Sequence, residues 1–487
     1  MEKYYIGVDL GSTNIKTALY NSQFQMVSSL SHPVVYEREG GVVEFDAWDY
    51  CRNLSRMLAQ LMKGMEGNAL REISFTGQAE SLVCVGADGK PLMNAISWMD
   101  ERSTQECEVL SKIFTDEDVR KVTGQMTICP TWPATKILWL KSHRPDVYQN
   151  TATFMHLKDY VVFYLTGKKL ADMSIATFSL YFDIYRKCYW QDMLKAIGID
   201  ESRLPALVEP CSEAGTLLPE VAAEIGAGDQ TVVNVGTLDH FAAMVGTGNI
   251  APGNINLSMG TVMVLATMAP TRDKLGDTVA VHYGFLPNTY VLLPVAASGG
   301  VSLEWFRRTC MPQVDYGELN QVLAQRKDCG KLLFLPYLVG TNAPDFDTDA
   351  TGVFWGLRQS HDAFDMARAV MEGVAFLIRK NSQSLKDSNI PCENIVAVGG
   401  GTKSALWCQM WADATSIPVR IPQEQEAACL GAAMIGAVAD GLFANYTAAV
   451  EKCVAIKAEY LPQPSEYYDG KYEKFCTLYD ATIGINR

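Results

Sequence analysis

The chain reads as an α/β protein of two or three domains. Three observations lead there. Apolar runs of strand length alternate with helical ones along all 487 residues, the pattern that builds sheets covered by helices. At roughly 100 to 200 residues per domain the length divides into two or three units. One device occurs twice, about 250 residues apart: an apolar strand, a turn of small hydroxylic residues around a glycine, and a second apolar strand. Hydrophobic residues at 48% and charged residues at 20% are a globular composition.

The elements follow in order. YYIGVDL and IKTALY are strands joined by a glycine turn, and DAWDYCRNLSRMLAQLMKGM has helical spacing with Asp46 or Asp49 at its start. EISFTGQAESLVCVGADGKPL reads strand, Gly-containing crossing, strand and an Asp88-Gly89 turn. TKILWLKSHRPDVYQ and LKDYVVFYLTG are helical, the second stopped by Gly167. VVNVGTLDHFAAMVGTGNI is a strand running into a small-residue helix, and GNINLSMGTVMVLATM repeats the opening hairpin. A long helix, the strand NIVAVGGGTKS, the helix ALWCQMWADAT, the short strand IPV and the small-residue helix EAACLGAAMIGAVADG follow. The repeated device sets the expected boundaries: 1–245, 246–445 and a C-terminal helical extension over 446–487.

A net charge of -14 and a pI near 5.0 argue against nucleic acid or an anionic membrane as partner, since both need a basic face. A local basic pocket for a small anion stays open. The 13 cysteines are scattered, with no CxxC and no His grouped with them at metal-ligand spacing. They read as buried thiols in a reducing compartment. The chain enters a strand without a leader pattern, and no apolar run reaches the roughly 18 residues of a membrane span. A cytoplasmic protein is the expectation.

The opening turn carries Gly11, Ser12, Thr13 and Asn14 between Asp9 and Lys16. Successive N–H groups in such a turn form an anion-binding concavity that glycine lets a phosphate approach. The hydroxyls of Ser12 and Thr13 can donate to phosphate oxygens and Lys16 can add charge. Asp9 fits beside phosphates only through a hydrated Mg²⁺. Gly, Ser and Asn are also ordinary turn residues, so alone this stretch reads first as a plain hairpin. The second turn, with Gly260 and Thr261, and the glycine turn at Gly399, Gly400 and Gly401 shift the balance towards a polyphosphate. The glycine run lacks a full dinucleotide fingerprint and is not a Walker A loop. Asp239, at a strand end where a helix begins, can take a proton from an alcohol attacking a phosphoryl group, or simply cap the helix. His240 beside it reads first as a packing residue. Gln78, Glu80, Trp98, Asp100 and Arg102 interrupt apolar strands; they suit a polyhydroxylated ligand or ordinary loop polarity.

Together these stretches resemble the FGGY family of carbohydrate kinases, in the actin and sugar-kinase ATPase superfamily, over nearly the whole chain. DLGSTNIK looks like the first phosphate loop and GGVVEFDAW the early Gly-x-x-Glu segment. TGQAESLVCVGADGKPLMNAISWMDERS follows the Gly-Gln to Trp-x-Asp-x-Arg run, and PATKILWLKSH the Lys-x-x-Trp-Leu signature. LKDYVVFYLTG and DMSIAT match the next landmarks, and SMGTV the second phosphate loop. GVFWGLRQSHDAFDMARAVMEG fits the C-terminal signature and VGGGTKSALWCQMWADATSIPV the adenosine segment.

The resemblance implies two RNase H-like domains of the actin-like ATPase type, with ATP and Mg²⁺ in an interdomain cleft and the sugar mostly on the first. It implies Asp239 as general base and Asp9 near Mg²⁺. Gly11, Ser12, Thr13, Lys16, Gly260 and Thr261 are implied around the phosphates, and Gly300, Gly400, Gly401 and Ser404 around the rest of the nucleotide. Gln78, Glu80, Trp98, Asp239 and His240 become the expected sugar contacts. Homodimers are common in the family. Four positions depart from one or other of the family's patterns. Xylulose-type members carry Met-His where Ala79 and Glu80 stand, and glycerol-type members Arg-Glu. Both types carry Gln where His240 stands, and glycerol-type members often Tyr where Thr131 stands. The expected activity is ATP-dependent phosphorylation of a hydroxyl on a small ketose or linear polyol. The alternatives are a sensor relative that binds without transfer, and an actin- or chaperone-like ATPase that turns over without sugar.

Overall fold

The computed structural model describes residues 2–269, 271 and 279–486. Arg487, the end of the expected extension, lies outside them. The chain forms two compact units, one of residues 1–250, 280–291 and 426–454, the other of residues 251–279, 292–425 and 455–487.

The first unit is built on β1 (Tyr4–Leu10), β2 (Asn14–Asn21), β3 (Met26–Pro33), β4 (Leu70–Gly77), β5 (Glu213–Thr216) and β6 (Val232–Leu238), in the order β5-β6-β4-β1-β2-β3. β1 and β2 form the antiparallel hairpin read from the sequence. β4 runs parallel to β1 and β6 parallel to β4, while β5 is antiparallel to β6. Ile6, Val8, Phe75, Ile73 and Val233 are fully buried in the core. Helix Ala47–Leu61 adds Cys51, Leu54 and Leu58 to it, and Asp46 caps that helix by accepting from the Trp48 and Asp49 amides.

A second, five-stranded sheet orders Glu37–Glu39, Val42–Phe45, Ala95–Ile96, Leu82–Val85 and Thr153–His156. It fixes where the Gln78–Ser81 and Ser97–Trp98 loops start and stop.

The second unit repeats the plan. β7 (Gly253–Met259) and β8 (Met263–Ala269) form a hairpin, and β9 (Cys392–Val398), β10 (Val419–Pro422) and β11 (Ile456–Tyr460) follow in the order β8-β7-β9-β10-β11. Along that order the pairings run antiparallel, parallel, parallel, antiparallel. The series β2-β1-β4-β6-β5 of the first unit has the same sequence of directions. The repeated hairpin is thus one part of a repeated sheet.

The expected boundaries ran through continuous stretches, whereas each compact unit is drawn from three. Residues 426–454 return to the first unit. Helix Ala427–Ala439 is made of small residues, and glycines receive it. A Cβ on Gly7 would lie 1.9 Å from the Cys429 carbonyl oxygen, and one on Gly431 would lie 1.8 Å from that of Ala242 in helix Asp239–Gly246. Backbones this close need Gly at the contact. The tail is also not wholly helical: β11, with the period-two pattern IKAEY, completes the second sheet before helix Glu466–Asn486.

Candidate functional site

The C-terminal ends of β1, β4 and β6 lie side by side in the first unit. Leu10 and Leu238 both pair with Gly77, and Asp9 and Thr237 both pair with Thr76. Asp9 and Asp239 are thereby brought to one edge of the sheet. Asp239 opens helix Asp239–Gly246 without capping it: among the described residues, its Oδ1 accepts from the adjacent His240 N–H, at 2.6 Å. The capping reading therefore does not account for this carboxylate.

Asp9 is half-buried, with an enclosed Oδ1 that has no hydrogen-bond donor. Burial pushes its pKa up to about 7, the charge of Asp239 adds to the rise, and Lys16 opposes it. An enclosed carboxylate oxygen without a donor fits a cation better than an amide. Among the described residues no group of three or more His, Cys, Asp or Glu could hold a metal. A Mg²⁺ ion here would rely on Asp9, water and phosphate oxygens, its usual coordination.

The turn after β1 is braced from two sides. The Gly11 carbonyl accepts from Tyr50 Oη at 3.2 Å and from Gln78 Nε2 at 3.4 Å, and the Thr13 carbonyl accepts from the Val34 amide. Lys16 differs from expectation. It stands opposite Asp9 across the hairpin, but its Nζ reaches Glu426 Oε2 at 2.5 Å, so its charge is already partnered within the unit.

Gln78, Glu80 and Trp98 are drawn together by two residues to which sequence reading assigned no site role. Ser81 Oγ donates to Gln78 Oε1 at 2.9 Å and accepts from the Trp98 amide at 3.1 Å. The fully buried Lys136 donates to the Glu80 carbonyl at 3.0 Å and to the Ser97 carbonyl at 2.8 Å. Trp98 leaves its ring 36% exposed. Glu80 sits at φ +65°, a left-handed conformation costly for a residue with a Cβ. Burial raises its carboxyl to about 7. Lys136 and a hydrogen bond from Thr131 pull it down, and the charge of Asp239 lifts it. Lys136 in turn is lowered to about 8 by burial, against the pull of Glu80. Cys129 Sγ and Thr131 Oγ1 lie 3.1 Å apart beside this group. Asp100 and Arg102 prove architectural. Asp100, fully buried, accepts from the Val43 amide and pairs with Arg102, which also reaches Glu44.

In the second unit, Gly260, Thr261, Gly300, Gly400, Gly401 and Ser404 line one cavity of about 350 Å³. The Gly300 amide donates to the Gly260 carbonyl at 2.8 Å, which locks the hairpin turn to the start of helix Gly300–Cys310. Gly399 has φ +98°, and a Cβ on it would lie 2.6 Å from the Met259 carbonyl oxygen. Leu303, Leu319 and Trp407 give the cavity apolar walls, and Asn320 closes on Ser404 Oγ at 2.5 Å. Ser404 also caps helix Ala405–Thr415 by accepting from the Trp407 amide. Sequence reading missed Leu303, Tyr316, Leu319, Asn320 and Trp407. Their signal was helical periodicity, which marks core and pocket wall alike.

A duplicated five-strand α/β plan with a glycine turn at matching hairpins is the fold of an actin-like ATPase. The chain belongs to the FGGY family of carbohydrate kinases: the family's N-terminal domain matches residues 4–246 and its C-terminal domain residues 255–439. It is 31% identical to a xylulose kinase of Bacillus subtilis, over 99% of this chain and 98% of that protein. Its fold is similar to the crystal structure of a gluconate kinase from Lactobacillus acidophilus, with a TM-score of 0.93 and 26% identity, covering 99% of this chain and 98% of that one. A ligand-bound xylulose kinase from the same organism matches with a TM-score of 0.92 and 25% identity over the same shares. The protein is an ATP-dependent carbohydrate kinase, a phosphotransferase with an alcohol group as acceptor.

Proposed function

We propose that the acceptor is a neutral small ketose or linear polyol, of the xylulose type before the glycerol type, and that Asp239 is its general base. One observation carries the reading. Asp239 shares its edge with Asp9 and acts electrostatically on both Asp9 and Glu80, so the acceptor side of the first unit is acidic. Such an edge accepts hydrogen bonds from hydroxyls and repels a carboxylate. Relatives named gluconokinase make an aldonate the second reading.

Asp239 then takes the proton of the attacking hydroxyl, and Gln78, Glu80, Trp98 and His240 orient the acceptor. The cavity of the second unit holds the nucleoside end of ATP against Gly300, Gly400, Gly401 and Ser404. The turns at Gly11–Thr13 and Gly260–Thr261 offer amides and hydroxyls to phosphates. Mg²⁺, when bound at Asp9, supplies charge neutralisation for the phosphates. The thirteen cysteines are all unpaired, which fits a reducing cytoplasm.

A coupled ADP-release screen over D-xylulose, other ketoses, pentitols, glycerol and gluconate tests this. ADP should appear with one of the neutral acceptors. Release with gluconate alone overturns the neutral-acceptor reading. Release without any acceptor points to an actin-like ATPase, and no release at all to a sensor relative.

A further inference from the structure

Behind Asp239 lies a chain of fully buried polar groups. Lys158, Asp172, Ser174 and Thr237 are all inaccessible to solvent. Lys158 Nζ lies 2.5 Å from Asp172 Oδ2 and donates to the Val235 carbonyl at 2.6 Å. Asp172 Oδ1 accepts from Ser174 Oγ and from the Ser174 amide. Ser174 Oγ lies 2.8 Å from Thr237 Oγ1 and accepts from the Leu238 amide at 3.2 Å.

Donor counting fixes the direction of the chain. A carboxylate only accepts, so the single Ser174 hydroxyl proton goes to Asp172. Thr237 must then donate to Ser174, whose oxygen takes both Thr237 and the Leu238 N–H. The chain thus ends on the Thr237–Leu238 peptide, one peptide removed from Asp239.

The strand that it grips is irregular at that place. β6 shifts register between Asn234 and Thr237, and Gly236 turns to φ +64° with its Cα against the Phe75 carbonyl. Three backbone groups at the bulge are taken by specific side chains: Val235 O by Lys158, Thr237 O by Thr76 Oγ1, and Leu238 N by Ser174. Bulges re-aim side chains beside active sites. A buried ion pair is weak evidence for stability and better evidence for a position that must be held.

We propose that Ser174, oriented by the Asp172–Lys158 pair, is a positioning residue for Asp239: its hydroxyl sets the Leu238 peptide and hence the direction of the Asp239 carboxylate. This rests on Asp239 being the general base. The test is steady-state kinetics with MgATP and D-xylulose, or the fastest acceptor of the screen, on Ser174→Ala, Asp239→Asn and the double variant. Ser174→Ala should lower kcat about 10- to 100-fold, as expected for a small misplacement of a reacting group, with both KM values within about threefold of wild type. In the Asp239→Asn background the same change should leave the residual rate unaltered, whereas a residue that merely supports the fold would lower it again. Where Ser174→Ala does not fold, Thr237→Val removes the other hydroxyl of the relay and should show the same split. Wild-type kcat in the folded variant, or a full multiplicative loss in the double variant, overturns the positioning role. If Asp239→Asn keeps its turnover, the general-base reading fails and this one with it. An inactive Asp239→Asn beside a normal Ser174→Ala sinks the positioning role alone.

Discussion

The two units share a sheet plan and differ in charge. In the first, the hairpin turn follows Asp9, which stands across from Lys16; in the second, Ser258 precedes the turn at the matching place and stands across from Val264. Around the first turn gather Glu80, Lys136 and Asp239, and the carboxyls of Asp9 and Glu80 are raised to about 7. Around the second stand Met259, Leu303, Leu319 and Trp407. The same backbone offers amides to an anion twice. What surrounds it decides whether the place suits proton transfer or a base and ribose. On the proposed reading, the repeated plan offers amides to phosphate in both units, and their different side chains divide acceptor from nucleotide.

Four changes should break or sharpen that contrast. The largest effect belongs to the charged unit. Removing a general base typically costs about 10²- to 10⁴-fold, so Asp239→Asn should lose kcat on that order. ATP binding, measured by titration without acceptor, should stay the same. Equal losses in both quantities would mean that the carboxylate is not confined to the acceptor side.

The apolar unit should give the converse result. A Cβ on Gly300 would lie 2.7 Å from the Gly260 carbonyl oxygen. Overpacking of about 1–3 kcal/mol follows for Gly300→Val, which at tenfold per 1.4 kcal/mol raises the KM for ATP about 5- to 100-fold. The acceptor KM should hold. A KM for ATP that does not move would place the nucleotide elsewhere.

Lys136→Met probes the acceptor loops. It strips the Glu80 and Ser97 carbonyls of a buried donor. An unsatisfied buried acceptor costs about 1–3 kcal/mol, so the acceptor KM should rise about tenfold while the KM for ATP stays put. A rise in both would assign Lys136 to general stability.

The smallest effect is a pH dependence. The Asp9 carboxyl, ordinarily at 3.8, is raised to about 7 in the folded chain. Between those values the folded protein keeps a proton that the unfolded chain has released. Ligand-free stability from this group therefore falls as pH rises from about 4 to about 7 and stays low above that. Asp9→Asn should melt higher than wild type at pH 8 and show no such advantage at pH 4. Binding of MgATP, which favours the ionised carboxylate, should tighten from pH 6 to pH 8 in wild type and not in Asp9→Asn. A melting difference that ignores pH would remove the burial argument for Asp9.

How far the sequence carried differs between the units too. That one cavity of the second unit would gather Gly260, Gly300, Gly400 and Gly401 was legible, because they act through backbone shape and glycine leaves a local signature. The acceptor side was only half legible. Gln78, Glu80 and Asp239 stood out as polar interruptions of apolar strands. Lys136 headed the Lys-x-x-Trp-Leu signature, but it sits 56 residues from the carbonyl that it braces, and nothing local told what its ammonium would hold. Lys16 shows another limit: its place beside the turn implied phosphate, and nothing local disclosed its ion pair with Glu426, 410 residues away.

The sequence by itself determined the α/β class, the repeated hairpin, the glycine turns and the family. These rest on periodicity, turn chemistry and short motifs, which are properties of neighbours in the chain. Only the tertiary structure decided that helix Ala427–Ala439 returns to the first unit, that IKAEY is a strand, that Asp9 and Glu80 hold raised pKa values, and that Ser174 stands behind Asp239. Each of these depends on burial or on a partner far along the chain. Desolvation and long-range contact have no local signature in sequence.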